Sequence, residues 1–527
     1  MKENKKLEYL TVKDKISRRE FMVRTAAWGV ATAASSTIFS NFALASVPKK
    51  GGRLRMGLYG GSSGDTLDPA TIADVFLRTI NWQIRNCLVE IDYKGNPVPE
   101  LAESWEPSSD ASRWSFILRK DVEFHNGKSM DAEDVIFSIN YHREENSKSG
   151  IKNLVKAIKD IKSDGKHTVI FTLEEGNADF PALLSDYHLV IVPNNTTDFN
   201  NGIGTGGYKL ASFEPGVRCF AKRNPNYWKS ERAHFDEVES LNIADTAART
   251  NALRAGQIDV MHSCDLKTVH LMKKQPDIQI IRAKGKKHYT FPMLTNKPPY
   301  DNNDVRLALK YAVDRQQLLQ TILLGYGTLG NDHPICPAYR YFAATLPQRE
   351  YDPDKAKYHI KKAGMEGHRF NLYTANGLYS GSADAAVLFK EHSAKAGIDI
   401  NVELVPKDGY WKEIWMKKDW CASYWSGRPT EDSIFSQAYS GTSYNESFFK
   451  NDRFEKLLKQ ARSETSEAKR REMYAEMQGI VRDEGGTVIP VFADFVDAAS
   501  NKLKFENLSG EWGLDGDRCA ERWWFGS

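Results

Sequence analysis

The sequence predicts an α/β protein built of more than one lobe, and three observations carry that expectation. The chain has 527 residues and 59.6 kDa. At about 100–200 residues per domain, two or three lobes are expected. Stretches with the two-residue period of strands and stretches with the helical period intermix from end to end, which suits α/β lobes and neither a sandwich nor a helical bundle. No low-complexity tract, charge block or tandem repeat follows the first 45 residues, so the body should fold throughout.

Residues 1–45 read as an export signal. Ser17-Arg18-Arg19-Glu20-Phe21-Met22 resembles a twin-arginine translocation signal, and a weakly apolar stretch follows from Ala26 to about Leu44. Ser35, Ser36, Thr37, Ser40 and Asn41 dilute that stretch, which argues against a membrane anchor. Ala43-Leu44-Ala45 offers a small-x-small cleavage pattern, and no cysteine nearby would accept a lipid. An unanchored exported protein is retained only behind an outer membrane, so a periplasmic location is expected.

Beyond the leader, Arg53–Tyr59 is strand-like, and Trp114, Phe116 and Leu118 alternate with outward positions. Asp131 and Asp134 open a helix with Val135, Ile136 and Ile139 on one face. Thr168–Leu173 is β-branched and aromatic, and Tyr208–Phe213 alternates like a strand. A helix from near Asp304 carries Val305, Ala308, Leu309, Ala312 and Val313. Another runs from about Ser466 with Met473, Met477, Ile480 and Val481 inward, stopped by Gly485-Gly486.

The formal charge of +3 comes from the leader. Residues 1–45 hold eight Lys and Arg against four Asp and Glu, so the rest of the chain stands at −1. That balance lacks the basic footprint of nucleic-acid binding. The six cysteines (Cys87, Cys219, Cys264, Cys336, Cys421, Cys519) form no CxxC and no finger spacing, and the 12 histidines form no HExxH or i,i+4 pair, so no metal and no cofactor are expected. One or two disulfides and buried free thiols remain equal alternatives for the cysteines.

A set of segments in order then resembles a known family. They are Pro97–Trp105, Trp114–Arg119, Phe124–Lys128, Ala132–Val135, Gly204–Tyr208, Asn224–Trp228, Asn251–Asp259, Asn303–Leu309, Ala312–Arg315 and Tyr351–Lys357. Together they resemble the large extracellular solute-binding proteins of ABC transporters, family 5, the dipeptide, oligopeptide and nickel class. The resemblance implies a two-lobed periplasmic-binding-protein fold of the type II class, with an extra subdomain in the first lobe. Lobe I would take residues 46–290 with a C-terminal segment 488–527, and lobe II residues 291–487. It also implies a hinged trap for a small molecule, with the permease subunits of an ABC importer and the twin-arginine machinery as partners, and a monomeric chain. Trp105, Trp114 and Trp228 are expected in core and turns, and Gly127, Gly204, Gly206 and Gly207 in turn geometry.

Two enzyme-like strings fail on context, so no enzyme is expected. Gly60-Gly61-Ser62-Ser63-Gly64 fits a nucleophile elbow, but Asp65–Pro69 intervenes where a helix must start. Gly202–Gly207 fits GxGxxG but leads into the strand-like Tyr208–Phe213. The candidate ligand site is carried over from the family stretch Cys421–Asp432. Dipeptide-binding members have an aspartate, which holds the peptide amine, where this chain has Arg428. The reversed charge suits a carboxylate, which can take two hydrogen bonds from a guanidinium. Arg428 is therefore the expected anchor, Trp425 an aromatic wall and Asp432 a holder for an amine. Tyr59, Tyr444 and Asn445 complete the candidate set. The ligand class expected is a peptide, a modified amino acid or an opine-like conjugate bearing a carboxylate.

Overall fold

A computed structural model describes residues 48–441 and 444–526. The export-signal residues lie outside these. The first lobe is organised by a seven-stranded sheet in the order 278–283, 495–500, 260–261, 53–58, 237–242, 218–223, 208–214. Arg53–Leu58 is parallel to both of its neighbours, and the other pairs in the sheet are antiparallel. A four-stranded antiparallel sheet (102–107, 113–118, 168–173, 158–163) forms a subdomain with its own apolar core. Alternation is visible there: Trp114, Phe116 and Leu118 point inward, as do Val169, Phe171 and Leu173. The helix Ala132–Arg143 starts where the aspartates place it. Asp131 caps it, and Asp134 returns the bond to the Asp131 backbone in a capping box.

The second lobe is built on a five-stranded sheet in which 288–292 lies between 491–493 and 423–425, with 327–329 at one edge and 487–488 also on 288–292. A parallel pair, 369–374 with 399–404, forms a separate small sheet, with an isolated bridge from Tyr373 to Cys421. Helix Asn303–Tyr311 buries Val305, Ala308 and Leu309, and ends at its C-cap Ala312, which is buried together with Val313 beyond it. Helix Glu467–Glu484 begins after Ser466 and ends at Gly485, with Tyr474, Met477 and Val481 inward and Met473 and Ile480 half-buried.

The chain passes between the two large sheets twice, at 284–287 and at Asp494. The two crossings run side by side. Ala493 N–H donates to the Lys287 carbonyl at 2.8 Å, and a Cβ on Gly285 would stand 2.2 Å from the Ala493 carbonyl oxygen, so only glycine fits there. A second contact joins the lobes far from these crossings. Ala178 N–H donates to the Arg462 carbonyl at 2.6 Å, and Arg470 meets Asp179 at 2.6 Å, both largely buried.

The glycines of GxGxxG serve close packing: a Cβ on Gly204 or Gly206 would strike the backbone of Ile84 or Gln83 within 2.4 Å. Trp114 is buried, and Trp105 and Trp228 pack on the subdomain core. All six cysteines are buried free thiols, which decides between the two alternatives. Burial pushes the thiols of Cys219 and Cys336 up to about 12. Among the described residues no helix is long and apolar enough to cross a membrane.

Candidate ligand-binding site

A narrow cavity of about 70 Å³ is lined from one side by Trp82, Tyr187 and Trp512 of the first lobe, and from the other by Gly427, Arg428 and Pro429 of the second. That space holds a few waters at most, so a ligand must part the walls to enter.

The second-lobe wall is the turn between strand Ser423–Trp425 and helix Glu431–Ala438. The Thr430 hydroxyl caps this helix by accepting from Ser433 N–H, which fixes the turn's exit. Its entry is fixed where the Arg428 N–H donates to Tyr339 Oη at 3.1 Å. The Arg428 guanidinium lies 5.2 Å over the Trp425 ring, donates from Nε to Gln437 Oε1 at 2.5 Å, and reaches the carbonyls of Ser426 and Gly427 at 3.3 and 3.2 Å. Among the described residues no carboxylate pairs with it. Burial lowers its pKa from the ordinary arginine value, as suits a half-buried cation without a counter-charge.

The first-lobe wall comes from the C-terminal segment. Leu514, Asp515 and Asp517 have φ of 47°, 62° and 59°, a left-handed run that aspartate tolerates and leucine does not favour. Asp497, on strand Phe495–Ser500, stabilises the run by accepting from Leu514 N–H and Ser263 N–H, both at 2.7 Å. The run presents Trp512 to the cavity. Arg78 stacks on the other side, 4.2 Å from the Trp512 ring, and pairs with buried Asp517 at 2.5 Å. Buried Lys286, on the first crossing, pairs with Glu511 and also donates to the Pro429 carbonyl at 3.2 Å, so one ammonium ties the crossing to both walls.

Behind this wall sits a buried charge network. Lys229 Nζ lies 2.8 Å from each of Glu90, Glu100 and Glu521. Arg518 meets Glu100 at 2.7 Å and Arg522 meets Glu90 at 2.7 Å. The three glutamates are close enough together to hold a metal ion, but the Lys229 ammonium already sits among them as their cation. Arg518 also lies 3.7 Å over Trp82, coupling the network to the cavity. Trp82 Nε1 is buried with no acceptor among the described residues.

Of the six candidate residues, the cavity takes Arg428 directly. Trp425 is buried beneath Arg428 and supports it, while Tyr187 and Trp512 form the walls. Asp432 turns away to Arg462 at 3.1 Å and accepts from Ser436, so its charge is balanced within the second lobe. Tyr59 packs edge-on against His262, 5.3 Å away, beneath Arg249. Asn445 is buried and bonds both backbone groups of Phe449; Tyr444 is half exposed beside Trp415. The walls were invisible to local sequence patterns, since Trp82, Tyr187 and Trp512 meet only in three dimensions. Ser62 bonds Asp65 within an exposed turn, which ends the elbow reading.

The pattern of the Bacterial extracellular solute-binding proteins, family 5 Middle, matches residues 96–447. The chain belongs to this family. It is a solute-binding transport protein and not an enzyme. The family 5 chain is 27% identical over 441 residues to heme-binding protein A of Haemophilus influenzae, covering 76% of this chain and 80% of that one. It is 26% identical over 484 residues to the periplasmic oligopeptide-binding protein OppA of Escherichia coli, covering 82% and 86%. Among solved structures it resembles HbpA2 from Haemophilus parasuis with a TM-score of 0.80 at 22% identity, over 88% of this chain and 98% of that one. The two-lobed fold expected from the sequence is therefore the family's own.

Proposed function

We propose that this protein is the periplasmic receptor of an ABC importer and captures a small carboxylate-bearing solute between its lobes, with Arg428 as the anchor. The observation that carries this reading is the Arg428 guanidinium on the cavity wall, half-buried and without an anion among the described residues. A half-buried cation without a counter-charge is costly, and a ligand carboxylate would remove that cost with charge-assisted hydrogen bonds. Support comes also from the flat walls of Trp512 and Tyr187, suited to an apolar ligand body, and from the unpaired indole N–H of Trp82, which would donate to a ligand oxygen. Similarity to a heme-binding and an oligopeptide-binding protein leaves a wide ligand range, within which a modified amino acid, a peptide or an opine-like conjugate fits the charge.

The crossings beside Gly285 would act as the hinge, and Asp179–Arg470 as the contact made on closure. Native mass spectrometry of protein taken from its own periplasm is expected to show a bound carboxylate compound. Small-angle scattering is then expected to give a smaller radius of gyration with that compound than without it. Identical curves with proven binding would overturn the trap.

Export through the twin-arginine route belongs to the same proposal and rests on Arg18-Arg19 in the leader. Changing both to lysine is expected to leave full-length precursor in the cytoplasm. Mature protein in the periplasm would overturn this route.

A further inference from the structure

The contact between the lobes at Asp179 adds a charge to a group that is balanced without it. On the second-lobe side, the Arg470 guanidinium donates to the Ala461 carbonyl and to the Tyr341 hydroxyl, each at 3.1 Å. Arg462 pairs with Asp432 at 3.1 Å. Glu431, the first residue of helix Glu431–Ala438, is buried and accepts from Tyr341 N–H at 2.6 Å. Among the described residues no cation pairs directly with Glu431. The second lobe thus sets two guanidinium groups beside two carboxylates. Asp179 of the first lobe brings a third carboxylate, 2.6 Å from Arg470.

The other charges around Glu431 are engaged elsewhere or face water. Lys286 pairs with Glu511, and Arg428 donates to Gln437. Arg340 and Arg471 both meet Glu467 at the outer edge of Tyr341, where solvent screens them. Burial holds the hydroxyls of Tyr339, Tyr341 and Tyr474 above the ordinary phenol range, so all three stay neutral. A buried group with one negative charge in excess is relieved when a carboxylate takes up a proton. Asp179 and Asp432 each hold an arginine, which leaves Glu431 to take it. Burial, with Asp179 adding to it, pushes the Glu431 carboxyl up to about 6, against the Tyr341 N–H and Lys286.

We infer that docking Asp179 against the second lobe binds a proton at Glu431, so that the trap closes more readily at mildly acidic pH. This rests on the hinged-trap reading but not on Arg428 as its anchor. The sign follows from the raised group. Its help to closure is full below the ordinary carboxyl value of about 4.5 and is lost as pH rises through about 6.

The test follows closure of the full chain, freed of solute, by double electron resonance between spin labels on Lys156→Cys and Lys459→Cys. Both positions are exposed, one on each side of the contact, and the native thiols are buried. From about pH 8 to about pH 5.5 the closed-to-open ratio is expected to rise about fourfold. Glu431→Gln keeps an acceptor for Tyr341 N–H and is expected to give one ratio at both pH values. Asp179→Asn, which removes the third charge, is expected to do the same, and it carries the test if the glutamine variant fails to fold. An unchanged wild-type ratio, or a rise that persists in either variant, would overturn the switch. Asp179→Arg sets like charges across the contact and is expected to open the lobes at both pH values. Opening in that variant without a pH response in the wild type would sink the switch and leave the hinge standing. Distances that never change in any of these chains would overturn the hinge reading and the switch with it.

Discussion

Lys229→Met is expected to cost about 3–5 kcal/mol of stability near neutral pH, the range for removing one member of a buried ion pair. Three carboxylates depend on this ammonium at 2.8 Å, and Glu100 is fully buried. Arg518 and Arg522 remain, but neither can occupy the centre. The pH dependence separates this cause from lost packing. In the wild type, desolvation raises the Glu521 pKa and the Lys229 charge lowers it further, to about 2, and Glu90 is likewise held well below the usual range. These depressed groups contribute stability above the unfolded carboxylate pKa of about 4.5, and it is lost as pH falls toward 2. In the variant the carboxylates lose the ammonium at their centre and keep Arg518 and Arg522, and Glu521, for which Lys229 is the strongest lowering influence against burial, is expected to rise above the unfolded value. The variant should then recover stability as pH falls from about 7 to about 5, where the wild type does not. Urea unfolding at both pH values measures this. A loss below about 1 kcal/mol, or the same loss at both pH values, would show that the network does not act as described.

Arg428→Ala is expected to weaken binding of the native solute by about 2–5 kcal/mol, roughly 30- to 5,000-fold. Truncation leaves the ligand carboxylate in a closed cavity with no cation facing it. Trp425 and Gln437, which hold the guanidinium from below, cannot replace it. Arg428→Lys should recover only part of the loss, because an ammonium cannot offer the paired donors of the fork. Calorimetry with the solute and its methyl ester decides the matter. The wild type should prefer the acid and the alanine variant should lose that preference. Equal losses for acid and ester would mean that Arg428 supports the turn and does not touch the carboxylate.

What the sequence made legible was local. The alternation in Arg113–Leu118 and Thr168–Leu173 and the aspartate cap before Ala132 each follow from residues a few positions apart, and each is present in the structure. Helix Val75–Ile84 is the counter-case. All ten of its residues are buried, Arg78 among them, so no polar face marks its period. Arg78 finds Asp517, and Glu100 finds Arg518, more than 400 positions away. Such pairs carry no spacing signal. At the candidate site the resemblance located Arg428, but Trp425 and Asp432 were placed by adjacency in sequence. A strand turns successive residues to opposite faces, and the helix that follows carries Asp432 round to Arg462. The walls come from the C-terminal turn, whose left-handed residues give no pattern in the sequence.

The sealed, unbonded sulphurs have a bearing on where the molecule can be finished. With thiols held near 12 at Cys219 and Cys336, almost none is present as the thiolate that exchange requires. Once folded, the molecule is therefore slow to exchange at these sulphurs, among cellular reductants or in an oxidising space. Nothing in the architecture waits on an oxidase or a disulfide isomerase, and assembly can be complete on either side of a membrane.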